Sequence, residues 1–210
     1  MKTVSQNTRE TSGRILLAAA RLFAQFGYDG VSIKAISQAA GTNSALISYY
    51  FGGKPQLYEA VLNQQAEWML NAAEKLKEFP QMPLTGLIAF LDELVHIYMD
   101  EPHRLRVLYR EFLAPTREGN DVVAQRMMRI RDLLTEALES ARELQSVRPD
   151  IDSRRAAFVL ISIVAFYLLT YQYEAISETT NLSGADAFSR VRNVYLDYLN
   201  TLSTGREVLK

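Results

Sequence analysis

SIKAISQAAGTNSALISYYFGG, Ser32 to Gly53, is the stretch on which the fold turns: two short apolar clusters, each opened by a polar residue and closed by glycine. Ser32 suits the cap of a helix that buries Ile33, Ile36 and Ala40 and stops at Gly41. Asn43 suits the cap of a second helix, with Leu46, Ile47 and Tyr50 on or near its inner face. Gly52-Gly53 breaks the chain, and Pro55 fits the first turn of a further, longer helix. Two short helices joined by a glycine turn have the outline of a helix-turn-helix. The outward residues of the second helix, Ser44, Ala45, Ser48 and Tyr49, are small or flat, as a surface that must lie close to another surface requires.

The flanking sequence reads as helix in both directions. Ile15, Ala19, Leu22, Phe23 and Phe26 recur at helical spacing up to Gly27, and Asp29-Gly30 makes a turn. After Pro55 a stripe runs through Leu57, Val61, Trp68, Met69, Ala72 and Leu76. Further helices are expected from Leu84 to Tyr98, around Leu105 to Phe112, from a cap at Asp121 to Ala141, and after a cap at Asp152. A last one follows Ser183, which with Asp186 resembles a capping box. No run alternates as a strand would, so the fold class is all-α. Ala156 to Thr170 is apolar nearly all round, yet shorter than the roughly 20 residues a membrane span needs. It is expected to be buried between helices or between two subunits.

Composition narrows the function. Of 210 residues, 48% are hydrophobic and 22% charged, the balance of a globular protein. There is no cysteine, which excludes disulfides and thiolate metal sites and suits a reducing compartment. MKTVSQNTRETSGR at the front has no apolar signal core, so a cytoplasmic location is expected, and Asn181-Leu182-Ser183 matches a glycosylation pattern by chance. The net charge is −1, but the first 54 residues carry six basic side chains against two acidic ones, leaving the remainder at −5. A basic head on an acidic body points to a polyanion as partner of the head. In a helix-turn-helix the second helix enters the DNA major groove with its N-terminal residues at base edges.

The longer pattern RILLAAARLFAQFGYDGVSIKAISQAAGTNSALISYYFGGKPQLYEAVL, Arg14 to Leu62, resembles the TetR family of bacterial transcription regulators. The resemblance rests on Ala18-Ala19, Leu22-Phe23, Phe26-Gly27-Tyr28, Ser32, Ile36, Ala39-Ala40-Gly41, Phe51, Lys54 and Leu57. It implies a three-helix DNA-binding domain over residues 1–54, with helix 4 starting near 54 and linking to a larger helical domain over 55–210. That larger domain would bind a small-molecule effector and form a homodimer. Phosphate contacts would fall on Ser32, Tyr50 and Lys54, and base or nearby contacts on Asn43, Ser44, Ala45, Ser48 and Tyr49; Lys34 completes the candidate set. Four positions depart from the family pattern. Thr42 stands for the usual hydrophobic residue, Asn43 for serine, Ser48 for a frequent tyrosine and Tyr50 for histidine.

Beyond Leu62 the reading is coarser. Trp68, Tyr109, Arg110, Phe112, Tyr167 and Tyr171 are candidates to line a pocket for an apolar or aromatic effector. Phe158, Val164, Tyr171, Phe188, Val191, Tyr195 and Tyr198 are candidates for a four-helix dimer interface. Asp92 and His96, four apart, are expected to pair at the surface, and with His103 they do not make a metal site. REFLAPT, Arg110 to Thr116, is similar to a segment in one group of the family. No nucleophile, phosphate-loop or cofactor pattern stands out, so no enzyme activity and no cofactor are expected. The function that follows is a ligand-responsive regulator, a repressor on double-stranded, pseudo-palindromic operator DNA. The alternatives are an activator with the same head, or a helical adaptor or enzyme that only resembles the family.

Overall fold

The computed structural model describes residues 4–176 and 184–207, apart from the side chains of 4–7, 120, 122, 168, 169, 171–176 and 184–187. Among these residues there are nine α-helices: α1 (Val4–Phe26), α2 (Ile33–Ala39), α3 (Ser44–Phe51), α4 (Lys54–Glu74), α5 (Pro83–Asp100), α6 (His103–Leu113), α7 (Asn120–Glu143), α8 (Ser153–Ile176) and α9 (Gly184–Leu202). A 3-10 turn, Lys75–Glu78, follows α4. The expected caps form where they are described: Ala35 N donates to Ser32 Oγ (3.1 Å), Ala45 N to Asn43 Oδ1 (2.7 Å) and Arg155 N to Asp152 Oδ1 (3.0 Å). Asp121 is not a cap. It lies in the first turn of α7, which starts one residue earlier. The capping box at Ser183 lies outside the described residues.

The chain makes two compact units, 1–68 with 101–126, and 69–100 with 127–210. These units cut the chain at other points than the expected division 1–54 and 55–210. The reason is packing. In the first unit α6 lies along α1, and Leu57, Tyr58, Val61 and Leu62 of α4 are buried with Ile15, Phe23, Ile36, Ile47 and Leu105. Burial at about 25 cal/mol per Å² of apolar surface is the main force joining these helices.

Within the first unit a buried carboxylate fixes α4 and α6. Glu111, 1% exposed, accepts from Tyr58 Oη (2.7 Å), Thr116 N (2.8 Å) and Thr116 Oγ1. Burial and this carboxylate hold the Tyr58 phenol far above its usual range. Gly119 sits so close to α4 that a Cβ would fall 2.3 Å from Leu62 Cδ1. REFLAPT is therefore explained by packing: its glutamate ties down the loop that its threonine begins.

In the second unit α5, α8 and α9 pack together around Leu84, Leu87, Leu91, Leu160, Val164, Val191, Tyr195 and Leu199. Arg192 Nε donates to Asp92 Oδ1 (3.1 Å), and Tyr195 Oη donates to the same carboxylate. Asp92 thus pairs with α9 rather than with His96, whose ring stacks on Phe188 at 4.3 Å. Residues 203–207 close this unit: Thr204 N donates to Ser146 O (2.9 Å), and Glu207 accepts from Thr85 N (2.7 Å) at the start of α5. No described helix is long and apolar enough to cross a membrane, and the apolar run of α8 is core on one side.

Candidate nucleic-acid interface

Three left-handed glycines shape the site. Gly41 (φ +60°) lets the chain turn between α2 and α3, and Gly52 (φ +86°) ends α3 with its N–H on Ser48 O (2.9 Å). Gly53 (φ +144°) then leads straight into α4, whose first residue is Lys54. Ile36 and Ile47, both fully buried, hold α2 and α3 against the core. Ser37 Oγ and Ser44 Oγ lie 3.0 Å apart and tie the first residue of α3 to α2.

With Ile47 inward, Ser44, Ala45, Ser48 and Tyr49 all face out. Tyr49 is 78% exposed, and its ring meets Tyr50 edge-on at 5.0 Å. Asn43 and Ser32 are exposed, but each has committed its side-chain oxygen to a cap. Lys34 is exposed on α2, and Lys54 is half-buried with its Nζ 4.3 Å from the centre of the Tyr28 ring. Eight of the nine DNA-contact candidates therefore fall on α2, α3 and their N-caps, and the ninth, Lys54, opens α4. Tyr28, which the sequence reading did not single out as a site residue, is brought against Lys54 by the fold. Burial and the nearby carboxylates Glu118 and Asp29 raise its phenol above the usual value.

The effector candidates do not converge in the same way. The Trp68 ring is covered by the Arg104 guanidinium at 5.9 Å. Arg110 donates to Gln25 O (3.1 Å) at the end of α1, a placement favoured by the helix dipole. Phe112 is exposed, Tyr109 and Tyr167 are half-exposed, and the side chain of Tyr171 lies outside the described residues. One concavity is lined by Tyr28, Asp29 and residues 114–118, another by Leu76, Phe79, Pro83, Leu133 and their neighbours; none of the six candidates lines either. The interface candidates divide. Phe158 is 66% exposed, and Phe188 and Tyr198 are partly so. Val164, Val191 and Tyr195 are buried within the single chain and have no area to offer a second copy.

Residues 15–61 match the family model of bacterial regulatory proteins, tetR family. The chain is 31% identical over 117 residues to the transcriptional regulator RutR of Escherichia coli, a match spanning 54% of this chain and about half (55%) of RutR. It is 29% identical to the transcriptional repressor NicS of Pseudomonas putida, over 78% of each chain. A TetR-family regulator from Agrobacterium tumefaciens shares the fold, with a TM-score of 0.76 and 20% identity over 94% of this chain and all of that one.

Proposed function

Because residues 15–61 make this chain a member of the tetR family of bacterial regulatory proteins, we propose that it represses transcription as a ligand-responsive homodimer on a pseudo-palindromic operator. The observation that carries this reading is the exposed face of α3. Ala45, Ser48 and Tyr49 stand clear of the protein, while the opposite side is fixed by a fully buried Ile47. Such a face enters a major groove without steric obstruction. Tyr49 would read base edges or a thymine methyl, and Ser32, Lys34, Tyr50 and Lys54 would hold phosphates on either side. Asn43 and Ser44 contribute through the cap and the inter-helix hydroxyl pair, which orient α3.

The dimer would form on the outward face of α8 and α9. Phe158 and Phe166 lie eight residues apart on α8, with Ser162 between them, and Val194 and Tyr198 lie four apart on α9. A twofold pair then offers two copies of α3 to half-sites about 34–36 Å apart. The effector would be small and apolar or aromatic, acting near Trp68 on α4, the helix that starts at Lys54 about 21 Å away along its axis. The repressor sign draws on the name of NicS; an activator would use the same head. Selection of bound sequences from a random DNA pool tests the core of the proposal. Enrichment of an inverted repeat is the expected result, and no enrichment of any duplex would end it.

A further inference from the structure

The lysine at the start of α4 is held by a ring rather than by a carboxylate. Lys54 Nζ lies 4.3 Å from the Tyr28 ring centre. Among the described residues it forms no ion pair. An ion pair would spend the ammonium hydrogens and compete with a phosphate. A ring face attracts the cation through its quadrupole and leaves those donors free.

The ring is itself held in place. Gly27, left-handed at φ +74°, ends α1 and turns the chain so that Tyr28 packs on Tyr58 at 4.9 Å and on Phe23 at 6.2 Å. Tyr58 is buried and bonded to Glu111. Tyr28 therefore has a rigid backing, and a flexible lysine chain gains one preferred direction. We propose that Tyr28 is a positioning residue for DNA binding: its ring face orients the Lys54 ammonium, donors free, toward a backbone phosphate. This rests on the operator-binding reading above.

The test is a double-mutant cycle on the full chain, with Tyr28→Leu, Tyr28→Phe, Lys54→Ala and the Tyr28→Leu/Lys54→Ala pair titrated on one selected duplex at several salt concentrations. Tyr28→Phe keeps the ring and should bind as the parent does. Tyr28→Leu should weaken binding about two- to fivefold, and should have no effect once Lys54 is alanine. Urea midpoints of each variant are measured beside the titrations, because a leucine at 28 also changes packing against Tyr58. Equal loss from Tyr28→Leu with and without Lys54 would mean the ring acts on the fold alone and would overturn the inference. So would a Lys54→Ala variant that binds like the parent, although the operator reading would stand. A parent protein that binds no duplex would overturn both.

Discussion

Tyr49 is the large side chain on α3 that is most exposed, at 78%, and its ring meets the edge of Tyr50. Removing it should change what is read rather than how strongly the backbone is held. Tyr49→Ala is expected to relax preference at one or two base positions, each worth about 1–3 kcal/mol, with the salt dependence unchanged. Binding measured across a panel of single-base operator variants checks this, and a uniform loss on every duplex would contradict it. A second residue gives a pH test. Burial, then Arg21, Arg104 and Arg106, lower the His103 pKa below its ordinary value, against the opposing pull of Glu101. The unfolded chain therefore takes up this proton at a higher pH than the folded one. Stability from this site is complete above the ordinary histidine pKa of about 6.5 and falls as pH drops through the lowered value. Urea midpoints at pH 7.5 and 5.5 should separate more for the parent than for His103→Gln; equal separations would remove His103 from the account.

At the scale of elements, α8 and α9 pose the clearest choice. Their apolar residues divide into an inner set, Val164, Val191 and Tyr195, and an outer set, Phe158, Phe166 and Val194. Phe166→Glu leaves the inner set untouched and is expected to give a folded monomer, read by sedimentation and circular dichroism. Val191→Glu buries an unpaired charge and should instead unfold the unit, at a cost of about 4 kcal/mol or more. A folded Phe166→Glu dimer would move the interface elsewhere. This division explains what was legible in the sequence. Helical spacing marks which positions are apolar, and caps mark where helices begin, so α2 and α3 could be read residue by residue. Spacing does not say which of two apolar sides faces a neighbour in the same chain. That depends on partners distant in sequence, as Asp92 and Arg192 are, and as Glu111 and Tyr58 are. The DNA-contact candidates lie within one continuous stretch, with Lys54 beside it, so their helices and caps were legible from local spacing; the contact of Tyr28 with Lys54 was not, because it depends on where the end of α1 meets the start of α4.

For the whole molecule, the proposed release of DNA by an effector requires that the two oppose one another. Such an effector binds the form that DNA does not, and a coupling of about 1–3 kcal/mol changes operator affinity about 5- to 150-fold. Trp68 is the sole tryptophan, so its emission should report a bound aromatic compound directly. A compound found by Trp68 quenching is then titrated into free protein and into the protein–operator complex. The two affinities should differ by the factor by which that compound weakens operator binding; identical affinities would remove it as an effector. The interleaved division of the chain carries one more consequence, in the order of synthesis. Residues 101–126 complete the first unit while much of the second has yet to be made. The start of α5, by contrast, receives its bond from Glu207 only after more than a hundred further residues have been added. At about 5–20 residues per second, α5 spends several seconds or more on the ribosome without it. Through that interval Leu84, Leu87 and Leu91 also lack the α8 and α9 helices that later cover them, so the nascent chain carries an apolar helix backed only by the 3-10 turn before it, while the first unit can already be folded.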